Sequence, residues 1–183
     1  GWGGEGSRIR HEFQITKGRI QIGGQRGKQQ IADYVLEFRG RKLAVIEAKK
    51  EDLGHTDGVS QAKAYAEKLK IRFAYSTNGH RIHQIDMITG HEVEVSSYPS
   101  PESLWEMTFV ERNDWRETFD VVPFEDRGGM YQPRFYIENA VEAVLEKISK
   151  GDKRILLTMA TGTGKTAVAF QIAWKLFQSR WNL

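Results

Sequence analysis

The chain contains no cysteine, no long apolar segment and no strong excess of one charge. Without cysteine it forms no disulfide, no zinc–thiolate site and no thiol nucleophile, which suits a reducing cytoplasm. No stretch approaches the roughly 18–20 apolar residues that a membrane-spanning helix needs. The printed sequence also opens without the charged-then-apolar pattern of a signal segment. The composition, 39% hydrophobic and 28% charged, is that of a globular protein that we expect to be cytoplasmic.

The small net charge of +3 conceals an uneven distribution along the chain. Residues 1–50 hold eleven Lys and Arg against five Asp and Glu, whereas residues 101–150 hold six against eleven. A basic front part could contact a polyanion such as DNA, and a solvated basic surface explains the same count equally well. The residues that could contact phosphates there are Arg8, Arg10, Lys17, Arg19, Arg26 and Lys28.

Hydrophobic patterning predicts an α/β domain over residues 1–97. β-branched and aromatic runs, with a Gly-containing gap between the first two, predict a hairpin and three further strands. The predicted strands cover residues 31–38, 42–49, 71–76, 80–86 and 92–95, and helical spacing of apolar residues predicts a helix over 58–70. The domain is predicted to end before Pro99 and Pro101, because proline interrupts both helices and strand ladders.

The rest of the chain divides into a linker and a second structured segment. Residues 98–130 are acidic and weakly periodic, which predicts a linker with one short helix over 103–116. Over 131–183 the pattern predicts a helix from 134 to 151, a buried strand over 154–159 and a helix from 165 to about 180. Since the sequence starts without Met and stops within this helix, we expect a piece of a longer chain.

A Gly-rich sequence, Ala-Thr-Gly-Thr-Gly-Lys-Thr over residues 160–166, lies between that predicted strand and that predicted helix. Glycines let backbone N–H groups surround phosphate oxygens, and the start of a helix adds positive potential. Lys165 would reach the β- and γ-phosphates and Thr166 would hold Mg²⁺. The alternative is an ordinary strand-to-helix turn. The predicted nucleotide-binding residues are Thr161, Gly162, Thr163, Gly164, Lys165 and Thr166.

Two carboxylates and a lysine form the second candidate site. Glu47 and Lys49 are two residues apart at the end of a predicted buried strand and so share a face, while Asp33 lies on the neighbouring predicted strand. Buried carboxylates need a cation. Lys49 could supply it in a purely structural ion pair. A divalent metal such as Mg²⁺, bound with the help of the Ala48 carbonyl, is the functional alternative.

Such a site could hydrolyse a phosphodiester. The metal would lower the pKa of a bound water and neutralise developing charge on the phosphate, and Lys49 would orient the water or stabilise the same charge. Gln61 and Tyr65 are four residues apart on the predicted helix and so share a face. They would reach the metal site or the DNA backbone if that helix packs beside the strands, and would otherwise be surface polar groups.

These motifs resemble two known families. Met159 to Thr166 resembles motif I of superfamily 2 helicases, and Arg134-Phe135-Tyr136 is similar to their adenine-contacting motif, with Ile137 in place of glutamine. Asp33, then Glu47-Ala48-Lys49, then Gln61 and Tyr65 resemble the PD-(D/E)xK nuclease domain of the R (motor) subunit of type I restriction enzymes. Ala32 stands where that motif has proline, and Gly1-Trp2 corresponds to a point just after the family's first helix.

The resemblance implies a fold, a reaction and partners. It implies a restriction-endonuclease-like nuclease domain over 1–97, a linker over 98–130, and the start of a RecA-like helicase motor domain over 131–183, truncated after motif I. Asp33 and Glu47 would bind Mg²⁺, Lys49 would be catalytic, and Gln61 and Tyr65 would support cleavage. The R subunit uses ATP to translocate double-stranded DNA, cleaves it away from the recognition site, and assembles with modification and specificity subunits.

One activity is not expected of this sequence, and two alternative functions remain. ATP hydrolysis is not expected of these 183 residues, because the acidic motif and the arginines that complete a motor site are absent from the sequence. Another helicase–nuclease fusion, such as a type III-like restriction subunit, is an alternative, although there we would expect the nuclease to follow the motor. A non-catalytic DNA-binding or docking module, in which Asp33, Glu47 and Lys49 form an ion-pair cluster, is the other alternative.

Overall fold

The computed structural model describes residues 1–16, 28–126, 128–130 and 133–181. The chain divides into two compact units, Gly1–Val110 and Glu111–Leu183. Among the residues predicted to contact phosphates, Lys17, Arg19 and Arg26 lie outside the described ranges. Within those ranges, no helix is long and apolar enough to cross a membrane.

The first unit is built on a mixed β-sheet whose strands lie side by side in chain order. The strands found in the described residues are β1 (Ser7–Thr16), β2 (Gln30–Phe38), β3 (Arg41–Ala48), β4 (Phe73–Thr77), β5 (Ile82–Asp86) and β6 (Glu92–Val95). Neighbouring strands are antiparallel except β3 and β4, which are parallel because helix α1 (Val59–Leu69) connects them as a crossover. The predicted α/β class with a mixed sheet and flanking helices is confirmed.

Helix α1 and a second helix, α2 (Pro101–Thr108), are the helices found in the described part of this unit. The apolar residues of α1 at helical spacing are buried, and the helix contacts β3, β4 and β5. A separate apolar cluster joins the sheet to α2 through Leu36, Phe38, Ala44, Ile46, Phe73, Tyr75, Leu104 and Trp105. Because side chains alternate along a strand, Val45 and Glu47 lie on the face opposite to Ala44 and Ile46. Glu47 is therefore on the face that α1 covers.

The predicted hairpin of residues 31–49 is confirmed as β2 and β3. Arg39 and Gly40 form its two-residue turn with φ values of 50° and 80°, the left-handed geometry that suits tight hairpins. Strand β1 was not predicted: Ile9, Phe13 and Ile15 stand at alternate positions, but the other residues of the strand are polar and most of its side chains are exposed. It pairs with β2 at the edge of the sheet and carries two of the predicted phosphate contacts, Arg8 and Arg10. Arg10 is paired with Glu37 at 3.0 Å.

The second unit contains helices α3 (Asp114–Val121), α4 (Phe135–Ser149) and α5 (Lys165–Gln178). An apolar cluster of Phe119, Ile137, Val141, Leu145 and Val168 joins all three. The predicted helices over 134–151 and 165–180 are confirmed within two residues at each end.

Two local predictions are wrong. The single short helix over 103–116 is in fact two helices, because Asn113 adopts an extended conformation and caps α3 by accepting a hydrogen bond from the Arg116 N–H. The predicted linker thus contains α2 of the first unit and α3 of the second. The predicted strand over 154–159 does not form: no strand of the described residues pairs with it, and Leu156 is 92% exposed.

An ion pair between a buried arginine and a partly buried glutamate stabilises the second unit and provides a stability prediction. Arg116 donates to both carboxylate oxygens of Glu146 at 2.7 Å, which lowers the Glu146 pKa to about 2. Because the Glu146 pKa is lower in the folded state than in the unfolded state, the ionised carboxylate stabilises the fold above about pH 4.5. This contribution is lost as the pH falls toward 2 and the carboxylate is protonated. We expect Glu146→Gln to lower the free energy of unfolding by about 2–3 kcal/mol at pH 7 and by much less near pH 2.

Urea unfolding followed by far-UV circular dichroism at pH 7 and at low pH measures this effect. The matched control is Asp152→Asn, which removes a surface ion pair with Lys147 and should cost less than about 1 kcal/mol. Equal losses for the two variants at pH 7 would contradict the prediction.

Candidate active site

Asp33 and Glu47 lie together at one end of the β2–β3 hairpin. Tyr34 is paired with Ile46, and continuing this antiparallel register places Asp33 opposite Glu47. The Asp33 Oδ2 atom accepts a hydrogen bond of 2.7 Å from the Ala48 N–H. This bond fixes the Asp33 carboxylate at the end of β3, beside Glu47.

The Glu47 carboxylate is buried and incompletely paired. Glu47 is 1% exposed, and no hydrogen-bond donor among the described residues reaches its Oε1 atom. Burial and, secondly, the Asp33 charge raise the pKa of Glu47 to about 7, although Lys49 acts in the opposite direction. Two acidic groups therefore share a site that supplies too little positive charge for both.

Lys49 connects the carboxylates to helix α1. Its Nζ lies 3.5 Å from the Glu47 Oε2 atom and donates a hydrogen bond of 3.0 Å to the Gln61 Oε1 atom. Gln61 in turn donates to the Tyr65 hydroxyl at 3.0 Å, as the spacing of four residues allows. The five residues predicted for this site are thus brought into one connected group.

Gly58 makes this arrangement possible, and sequence reasoning missed its role. A Cβ atom at position 58 would lie 2.6 Å from the Ser76 Oγ, 3.1 Å from the Glu47 Cβ and 3.1 Å from the Lys49 Cε. Gly58 is the residue before the first turn of α1. Only a residue without a side chain lets α1 approach the sheet closely enough for Gln61 to reach Lys49. A glycine at the first residue of the helix predicted over 58–70 was the available signal.

The Gly-rich loop of the second unit precedes helix α5. Gly162 and Gly164 have φ values of 76° and 93°, which other residues rarely adopt. The Lys165 Nζ donates to the Ala160 and Met159 carbonyls at 3.2 and 3.4 Å, so this side chain is folded back along the loop. Thr163 bonds the Ala160 carbonyl through its hydroxyl, while Thr161 and Thr166 are exposed. The helix expected after residues 160–166 is present, whereas the strand expected before them does not form.

Ile137, at the position of the adenine-contacting glutamine, is a core residue. It is 3% exposed and belongs to the apolar cluster of α3, α4 and α5. Its Cδ1 atom would lie 3.1 Å from a Cβ atom at position 164, so it packs directly beneath the glycine loop. Arg134 donates to the Tyr136 hydroxyl at 2.7 Å.

The histidines of the described residues belong to no cluster that could hold a metal ion. Within the described ranges, no group of three or more His, Cys, Asp or Glu residues is arranged to hold a metal ion. His55 and His83 have ring centroids 5.9 Å apart, and each is paired with a glutamate, Glu94 and Glu92 respectively. A metal near Asp33 and Glu47 would therefore depend on those two carboxylates and on backbone or water oxygens.

Comparisons with known proteins find restriction-enzyme subunits. Residues 130–183 match the family described as "Type III restriction enzyme, res subunit". The chain is 34% identical to the type I restriction enzyme EcoAI endonuclease subunit of Escherichia coli, over 95% of this chain and 23% of that protein. It is 29% identical to the EcoKI endonuclease subunit of E. coli strain K12, over 84% and 17%.

A solved structure resembles the whole chain. It is a fragment described as an HsdR subunit of a type I restriction enzyme from Vibrio vulnificus YJ016, with a TM-score of 0.86, 42% sequence identity, and coverage of 99% of this chain and 35% of that one. The α/β fold with its mixed sheet is thus shared with a fragment of a restriction-enzyme subunit. The chain is therefore a homologue of part of the type I restriction enzyme R (endonuclease) subunits, and it spans less than a quarter of the length of the curated relatives it matches.

Proposed function

We propose that the first unit is a PD-(D/E)xK nuclease domain that cleaves double-stranded DNA with Mg²⁺. The observation that carries this proposal is the buried Glu47 carboxylate, which lies beside Asp33 and Lys49 and leaves Oε1 without a partner. The names of the curated relatives, which are endonuclease subunits, support the same reaction.

The residues at the site fit a hard divalent cation. Mg²⁺ prefers oxygen ligands and keeps several waters, and the unpaired Glu47 oxygen needs positive charge that Lys49 alone does not supply. Asp33, Glu47 and the Ala48 carbonyl would hold the ion. When bound, it supplies an activated water and neutralises charge on the phosphate.

The chain's own residues position the reacting groups. Lys49 carries its charge beside the Glu47 carboxylate, where it would orient the attacking water or stabilise negative charge on the phosphate. Gln61 holds the Lys49 ammonium, and Tyr65 holds the Gln61 amide. Asp33 is fixed by the backbone of β3. The hydrogen-bonded series from Tyr65 to Lys49 therefore limits the directions in which the ammonium can point.

The second unit would begin a RecA-like helicase motor domain. We propose nucleotide-binding residues from Thr161 to Thr166, with ATP as the nucleotide of the whole subunit, and domain limits of 1–97, 98–130 and 131–183. In the whole protein, ATP would drive DNA translocation, and cleavage would occur away from the recognition site. Modification and specificity subunits would be its partners, and the cytoplasm its compartment. We do not expect these 183 residues alone to hydrolyse ATP.

The Lys49–Glu47 contact of 3.5 Å also favours the second candidate, a structural ion-pair cluster in a DNA-binding or docking module. The two candidates differ in their response to a divalent cation. A structural cluster is complete without one, whereas a nuclease site binds it through both carboxylates.

Calorimetric titration of the chain with Mn²⁺ or Mg²⁺ separates these candidates. We expect wild type to bind one ion, and Asp33→Asn and Glu47→Gln each to lower the affinity at least about 100-fold, because each removes a charged ligand. Glu67→Gln is the matched control, since Glu67 is an exposed residue of α1. A wild-type chain that is folded and binds neither ion would contradict the nuclease proposal.

A further inference from the structure

Ser76 is a buried polar residue beside Glu47 that the proposed reaction does not yet use. It lies in β4, directly opposite Glu47 in the parallel β3–β4 register. It is 0% exposed, and its Oγ atom has no hydrogen-bond partner in the described part of the chain. The same atom lies under Gly58, at 2.6 Å from the place of a Cβ there. Ser76 is thus enclosed between Glu47 and the start of α1.

A buried hydroxyl in this position destabilises the protein unless it forms a hydrogen bond. Leaving a buried hydroxyl without a partner costs about 1–3 kcal/mol, whereas alanine would fill nearly the same space without that cost. The packing alone therefore does not explain a serine here. A hydrogen bond formed in another state of the site does explain it.

Of the two residues opposite Ser76 on the adjacent strands, Glu47 is the one with a free hydrogen-bond acceptor. On the other side in the sheet, Ser76 is opposite His83, whose Nε2 already contacts the Glu92 Oε2 at 2.9 Å. Glu47 instead offers Oε1, an acceptor without a donor. Side chains on adjacent strands at opposed positions have Cβ atoms about 5 Å apart, so a serine hydroxyl and a glutamate carboxylate can meet after small torsional changes.

We propose that Ser76 is a positioning residue for Glu47: its hydroxyl donates to the Glu47 carboxylate when that carboxylate binds the divalent cation. This role rests on the proposed function. The hydroxyl holds the carboxylate in one rotamer and orients an oxygen toward the ion, much as second-layer donors orient metal ligands elsewhere. In the cation-free protein the hydrogen bond is not made.

The test compares cation affinity with stability in Ser76→Ala, using Mn²⁺ as the probe and the chain as it is. We expect the affinity for Mn²⁺ to fall about ten-fold, the effect of losing one hydrogen bond to a charged group. The stability of the cation-free protein should stay the same or rise, and the Mn²⁺-induced rise in Tm should shrink. Ser97→Ala, which changes an exposed serine of the same unit, is the control.

Each outcome distinguishes this role from its alternatives. If Ser76→Ala binds Mn²⁺ as tightly as wild type, the positioning role is wrong and the metal site stands. If the variant loses stability without Mn²⁺, Ser76 has a structural role and the proposal is also overturned. If wild type binds no Mn²⁺ while folded, the metal site itself fails, and the role of Ser76 fails with it.

Discussion

Lys49→Met should reduce DNA cleavage by about 100- to 1000-fold while the motor continues to work, because it removes a positioned charge at the reacting phosphate. Methionine keeps the length and the apolar stem of the side chain. It removes the ammonium that lies 3.5 Å from Glu47 and donates to Gln61. We expect the loss to be in cleavage, and the carboxylates to retain their cation.

The measurement is cleavage of a circular plasmid that carries the recognition site, by the full-length subunit assembled with the modification and specificity subunits proposed as its partners. DNA-stimulated ATP hydrolysis by the same preparation reports on assembly and the motor, and it should equal that of wild type. Lys50→Met is the matched control, since Lys50 is the adjacent lysine and is exposed. Cleavage at the wild-type rate in Lys49→Met would exclude a catalytic role for Lys49.

Gln61 and Tyr65 show which parts of the candidate site sequence periodicity can predict. Alternation along the strand predicted over 42–49 placed Glu47 and Lys49 on one side, and a spacing of four placed Gln61 and Tyr65 on one face of the predicted helix. The structure joins these pairs through the Lys49–Gln61 hydrogen bond. Local periodicity predicted each pair, because both members of a pair lie on one predicted element.

Ser76 and Gly58 could not be assigned roles in the same way. Ser76 faces Glu47 only because β4 pairs in parallel with β3 in one particular register, and 24 residues separate Ala48 from Phe73. Gly58 matters only through the distance between α1 and the sheet. Both depend on tertiary packing, which a hydrophobic pattern does not specify.

The errors in predicting other parts of the fold also arise because those parts depend on tertiary contacts. Residues 154–159 have the composition of a buried strand, yet a strand exists only where a neighbour accepts its backbone hydrogen bonds. Strand β1 shows the reverse case, since pairing with β2 makes it a strand despite an exposed, polar sequence. Asn113, read as part of one helix, is instead the cap that begins another.

Gly58→Val should nearly abolish cleavage and also destabilise the first unit. Its Cβ alone would stand 2.6 Å from the Ser76 Oγ and 3.1 Å from the Glu47 Cβ, and neither atom is the end of a long flexible side chain. Helix α1 must therefore move away from the sheet, and Gln61 then moves away from Lys49. We expect about 1–3 kcal/mol lower stability from overpacking, and at least about 100-fold slower cleavage from displacement of the reacting groups.

Two further variants test whether the close approach of α1 to the sheet causes the losses of stability and cleavage expected for Gly58→Val. Gly54→Ala is the control glycine, because the atoms nearest to its Cβ would be those of the Asp57 carboxylate, the end of a side chain in the same loop. In Gly58→Ala, the additional change Ser76→Ala removes the atom at 2.6 Å and should restore part of the lost stability. Urea unfolding measures the stabilities, and plasmid cleavage by the assembled enzyme measures the activities. If the Cβ atom at position 58 destabilises the protein through contact with Ser76, the effects of Gly58→Ala and Ser76→Ala on the free energy of unfolding cannot be additive. Strictly additive effects would show that this contact does not occur.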